Sequence, residues 1–174
     1  MYNLNSINIL SRIWTDKIEK GSTYIESATT GDDGSIYIAG WFTGDFQNNK
    51  DNGIKGFLSK YNIDGDIEWV NIIDDYFEIN SISTNSDGSI FLTGRNLGNG
   101  NADRKLLIKK LSSDGELELE NYSKTSYLEG KKIVIGSDDS IYITGEIDEG
   151  YSSDRHPDYV GGHGDAFVAK FDKN

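Results

Sequence analysis

GDDGSIYIAG, residues 31–40, decides how this chain folds, because the chain says it twice more. It returns as NSDGSIFLTG at 85–94 and as GSDDSIYITG at 136–145. Each copy opens on an Asp-rich turn, runs through aliphatic and aromatic β-formers, and closes on glycine: Gly40, Gly94 and Gly145. In the turns, Gly34 and Gly88 supply a positive φ at little cost. Asp139 holds the matching place in the third copy, and aspartate tolerates that region better than most residues. A repeat of roughly 50–55 residues built from short strands and Gly/Asp turns predicts an all-β fold made of β-propeller blades.

Working outward, each quoted strand is preceded by another: Tyr24 to Thr30, Glu78 to Thr84 and Lys131 to Ile135. A third strand follows a variable loop: GFLSKY at 56–61, LLIKKL at 106–111 and AFVAKF at 166–171. Lys60, Lys110 and Lys170 occupy one place in it. Asp64-Gly65 and Asp114-Gly115 then turn the chain into a fourth strand, Asp66 to Asn71 with Trp69 and Glu116 to Asn121 with Leu119. The counterpart for the first copy is Ser11 to Thr15 with Trp14. The chain therefore reads as one domain, 1–174, of three four-stranded antiparallel units at roughly 11–61, 66–111 and 116–171. The quoted strands are expected to be buried on both faces, sandwiched between neighbouring units.

Bulk composition narrows the class. The 174 residues suffice for one sizeable domain. The net charge of −12 repels phosphate backbones, which excludes nucleic acid as the expected partner. With no cysteine, disulfides, thiolate chemistry and cysteine-ligated metals are excluded. No signal peptide and no membrane-crossing stretch is visible, so membrane insertion is not expected and the compartment stays open.

The repeat resembles the SBBP-type β-propeller family, whose unit has an Asp-Gly turn, a "YvtG" strand, a variable loop and a "DAFVAKl" strand. The third copy is nearest, with Ser140-Ile-Tyr-Ile-Thr-Gly145 and Asp165-Ala-Phe-Val-Ala-Lys170. The first departs at Gly53 to Ser59 and the second, further, at Ala102 to Lys110. The resemblance covers about Ser11 to Phe171. It implies the propeller fold and a bacterial, extracellular or cell-surface setting, and it implies no activity.

Propellers typically close with four to eight blades, and three leave two raw sheet faces. Two arrangements answer this. The chain is a portion of a longer repeat array, or two chains meet head to tail as a six-bladed homodimeric ring. The homodimer is the expectation, since the chain starts with Met and holds whole units.

The variable loops, Trp41 to Lys55, Arg95 to Lys105 and Glu146 to Gly164, are where such units differ, and loops on a rigid scaffold often carry function. Trp41, Phe42 and Phe46 could stack on a sugar face. Arg95 and Glu146 stand in the places equivalent to Trp41, so no repeated sugar pocket is visible, and core packing is the competing role. The third loop gathers Tyr151, Asp154, Arg155, His156, Asp158, Tyr159 and His163, and ends at Asp165. Tyr151, His156 and Tyr159 are candidate ligand contacts. Asp154, Asp158 and Asp165 are a candidate Ca2+ set, although their spacing matches neither an EF-hand nor an RTX nonapeptide, and solvated loop acids are the competing reading. His156 and His163 lack the third partner and spacing of a zinc site. The turn acids Asp32, Asp33, Asp87, Asp138 and Asp139 are expected to do hairpin chemistry. No catalytic set stands out, and no resident cofactor is expected. The expected role is a non-enzymatic scaffold or binding module for a protein or glycan ligand. The alternatives are a lectin using loop aromatics and a hydrolase with acidic residues at the propeller mouth.

Overall fold

The computed structural model describes residues 22–44, 54–75, 77–96, 105–124, 126–148 and 164–172. Those residues form eleven strands in three open antiparallel sheets. The first sheet holds β1 (Ser22–Thr30), β2 (Ile36–Thr43), β3 (Lys55–Tyr61) and β4 (Ile67–Asp75) in that spatial order. The second repeats it with β5 (Phe77–Thr84), β6 (Ile90–Asn96), β7 (Lys105–Leu111) and β8 (Leu117–Tyr122). The third contains β9 (Leu128–Ile135), β10 (Ile141–Ile147) and β11 (Asp165–Phe171). No helix occurs among the described residues.

The expected strands that fall within the described residues are present, but their grouping differs by one strand from the units read in the sequence. The Trp69 strand closes the first sheet and does not open the second, because β3 and β4 are a hairpin with Lys60 opposite Trp69. Its turn is locally determined. Asn62 accepts hydrogen bonds from the backbone N–H groups of Asp64 and Asp66, and Gly65 sits at φ 91°. The sheets therefore span 22–75, 77–122 and 128–171, which corrects the boundaries 11–61, 66–111 and 116–171. Ser11 to Thr15 lies outside the described residues.

The first turn of each copy behaves as its residues require. Asp33 accepts from the Ser35 backbone N–H at 2.9 Å and from its hydroxyl at 2.8 Å; Asp87 and Asp138 do likewise with Ser89 and Ser140. These bonds hold all three aspartate pKa values below the ordinary range, led by the Ser35 backbone bond for Asp33 and by the serine side chains for the other two. Gly34 (φ 82°), Gly88 (φ 83°) and Asp139 (φ 59°) share the left-handed position. A Cβ is disfavoured there. Asp139→Gly should therefore raise stability by about 0.5–1 kcal/mol in denaturant melts. A loss would show that the Asp139 side chain, which accepts a hydrogen bond from Ser86, matters more than the backbone.

The sheets stack in one repeated sense. Tyr37, Ala39, Leu58, Ile73 and Trp69 of the first sheet pack on Ile79, Ile90, Leu92, Leu107 and Leu111 of the second. Phe91, Leu106 and Ile108 on the opposite side of the second pack on Ile133, Ile143, Ile135 and Phe167 of the third. Between sheets, the Ile82 backbone N–H donates to Ser27, the Thr84 hydroxyl donates to the Thr30 carbonyl, and Asn71 donates to the Gly115 carbonyl. The expectation that β2, β6 and β10 are buried on both faces holds only for β6, whose Ile90 to Gly94 are all buried. β10 alternates buried and open positions. Among the described residues, only the middle sheet has a neighbouring sheet on both sides.

One recurring triad explains the shared lysines. Lys60, Lys110 and Lys170 lie directly across from Tyr37, Phe91 and Tyr142, with the ammonium groups 5.8, 5.9 and 5.2 Å from the ring centroids. Each lysine stem covers an aromatic face while its charge reaches a carboxylate. Glu68 serves Lys60 at 2.9 Å, Glu118 serves Lys110 at 2.7 Å, and Asp138 serves Lys170 at 3.4 Å.

Candidate functional site

β2, β6 and β10 end where the variable loops begin, and equivalent cross-strand pairs near those ends carry different chemistry on one frame. Tyr24 pairs with Trp41, Glu78 with Arg95, and Glu129 with Glu146. A β-bulge sits beside each of these pairs, after Ile25, after Ile79 and at Gly145. The bulge adds local twist and re-aims the neighbouring side chains, a device common at sheet ends.

In the first sheet the pair is aromatic. The Tyr24 and Trp41 rings stack with centroids 4.0 Å apart and planes 17° apart. The Trp41 indole N–H donates to Glu26 at 3.0 Å. Phe42, one residue on, points to the other face and is fully buried against Phe57, Ile38 and Val70. It is a core residue with no surface to offer a ligand, which corrects its reading as a ligand contact. The period-2 alternation of a strand separates Trp41 from Phe42.

The second and third sheets are joined here by ions. Arg95 donates to Glu78 at 2.7 Å and to Glu129 at 3.0 Å. Glu129 also accepts from Lys131 and from Asn80, both at 2.9 Å, and Asn80 donates further to the Gly130 carbonyl. Lys131 reaches Glu146 at 3.3 Å. Two glutamates stand directly opposite at 129 and 146, and Lys131 and Arg95 relieve that repulsion. Burial opposes the Glu129 charge, but the Lys131 hydrogen bond and the Arg95 charge outweigh it and lower its pKa. Burial likewise opposes the Arg95 charge, and Glu129 and Glu78 outweigh it, raising its pKa.

This network escaped the sequence reading, which aligned Arg95 and Glu146 with Trp41 but not their partners. The signal was the parallel alignment of Tyr24, Glu78 and Glu129 one strand earlier. The bridge from Arg95 to Glu129 crosses between sheets, and no sequence spacing reports it.

Of the remaining candidates, only Asp165 is among the described residues. Asp165 opens β11 opposite Ile147. Phe46, Tyr151, Asp154, His156, Asp158 and Tyr159 lie outside the described residues. Among the described residues, no group of three or more histidines and acids is placed to hold a metal ion. Every described carboxyl group whose pKa is displaced is displaced downward. Such groups accept hydrogen bonds and bind cations, and they do not donate protons near neutral pH.

No protein-family model matches this chain, and no curated protein matches it in sequence.

Proposed function

We propose that this chain is a β-propeller module that works as a non-enzymatic binding scaffold, presenting three unlike loops from equivalent ends of three blades. One observation carries this reading. The pair at the root of each loop is built on the same strand frame with unlike chemistry: a stacked aromatic pair, an arginine–glutamate pair and a glutamate–glutamate pair bridged by lysine. A common frame with exchanged termini suits recognition, in which the scaffold holds geometry and the loops supply specificity. The hydrolase alternative needs one carboxyl group held protonated beside an ionised one. The displaced carboxyl groups among the described residues run in the opposite direction. The lectin alternative would use Trp41, one face of which is already stacked on Tyr24.

The test is loop replacement in the full chain. Exchanging residues 149–163 for a Gly/Ser segment of equal length should leave a cooperative transition within about 0.5 kcal/mol of the parent. Collapse of the fold would overturn the scaffold reading. So would turnover of p-nitrophenyl glycosides or esters that disappears on the exchange, because it would place chemistry in the loop.

A further inference from the structure

The first two sheets do not close on each other along their whole contact. β4 from Val70 to Ile73 stands across from Lys109, Leu111, Gly115 and Leu117 of the second sheet, with a cleft of about 410 Å³ between them. That volume falls among those of small-molecule sites, roughly 300–1,000 Å³. Asn71 donates to the Gly115 carbonyl at 2.8 Å and ties the two walls together. Ile73 and Leu111 are buried core residues, whereas Leu117 is 54% exposed, so the cleft runs from the core to the surface.

Lys109 is the residue that the fold does not account for. Its side chain is 3% exposed, and its ammonium lies 2.8 Å from Glu120, which pairs with it from β8, and 5.8 Å from the Phe77 ring centroid. The repeat does not require a charge at this place. Counted from the shared lysines, the same position holds Ser59 in the first sheet and Ala169 in the third. Val70 pairs with Ser59 where Glu120 pairs with Lys109. Taking two charges out of water often costs more than their attraction returns, and apolar residues of similar volume serve a fold as well or better. Two sheets on the same frame do without the pair.

The lining selects a class of ligand. Ile73, Leu111 and Leu117 suit an aliphatic body. At the head, Lys109 donates and Glu120 accepts. A carboxylate would compete with Glu120 for the ammonium and would meet a chain of net charge −12. A ligand ammonium would compete with Lys109 for Glu120. An uncharged group that both accepts and donates, a hydroxyl or a carboxamide, bonds both partners without breaking the pair, and each bond is strengthened by the partner's charge.

We propose that the cleft between the first two sheets binds a small uncharged amphiphile, an aliphatic alcohol or amide, with its head group at the Lys109–Glu120 pair and its body against Ile73, Leu111 and Leu117. The site is built on strands and on the β7–β8 turn. It goes beyond the scaffold reading, which places recognition in the variable loops, and either can fail without the other.

Amide-resolved NMR titration of the full chain tests it. 1-Hexanol and hexanamide should bind with a Kd on the order of 1 mM and shift the Leu111, Gly115 and Leu117 amides. Hexanoate and hexylammonium should bind at least about tenfold more weakly. The double variant Lys109→Met, Glu120→Val replaces the pair with apolar residues. It should keep or exceed the parent's urea midpoint and weaken 1-hexanol at least about tenfold. Leu117→Trp, at an exposed position, should block the cleft while the amides of the third sheet stay where they are in the parent. Exchange of residues 149–163 should leave 1-hexanol binding unchanged. No site-selective shift with either uncharged probe overturns the proposal. So does a charged probe that binds as well, or binding that survives the double variant or Leu117→Trp. A double variant with a lowered midpoint also overturns it, because the pair would then be structural.

Discussion

Gly94→Ala should destabilise the chain by about 3 kcal/mol, more than any turn glycine replaced in the same way. The cause is space and not φ. A Cβ at Gly94 would stand 1.9 Å from the Glu78 carbonyl oxygen and 3.0 Å from its carbon. Those atoms belong to the backbone of β5 at its bulge, so no side-chain rotation relieves the clash. The same approach recurs at Gly40, 1.9 Å from the Tyr24 carbonyl oxygen, and at Gly145, 2.0 Å from that of Glu129. This is why the repeat closes on glycine each time. Gly94 is the most demanding of the three because its sheet is packed on both faces. Urea unfolding should show a lower midpoint with an unchanged slope. Gly88→Ala, where only a positive φ is at stake, should cost about 1 kcal/mol. If the Gly94 variant loses no more than that, the bulge relaxes freely and the steric account is wrong.

The second large effect is expected at Arg95. Truncation to alanine leaves Glu78 and Glu129, each with a side chain 16% exposed, without their shared cation. Breaking a partly buried pair of this kind should cost about 2–3 kcal/mol at pH 7, below the figure for full burial because the Arg95 side chain is 24% exposed. Arg95→Lys should recover only part of it, because one ammonium cannot span two carboxylates as the guanidinium fork does. The pH dependence has a definite sign. The Glu129 pKa is depressed in the folded chain, so its ionised form stabilises the fold above the ordinary glutamate value of about 4.3. That contribution is lost as pH falls through the depressed folded value. The gap between parent and Arg95→Ala should therefore narrow in acid. A gap that stays constant from pH 7 to pH 3 would show that Arg95 acts through packing and not through charge.

Much of this architecture was legible because it is local. A hairpin needs a positive φ at a fixed offset and β-formers on either side, and Gly34, Gly88 and Asp139 announce the turns before any tertiary contact is known. The third and fourth strands were legible for the same reason, through Gly65 and Gly115. The sheet boundaries were not, because a strand between two turns can pair with either neighbour, and the Trp69 hairpin decides that by hydrogen bonding. Phe42 misled for a related reason: an aromatic beside a loop looks available until strand alternation turns it inward.

By itself, then, the sequence determined the all-β class, the period, the turn chemistry and the strands of the described residues, since each is a property of a few consecutive residues. Only the tertiary structure decided which strands share a sheet, why the repeat closes on glycine, and how Arg95 reaches Glu129. Each of these is a contact between residues far apart in the chain, where approach distance and burial set the outcome.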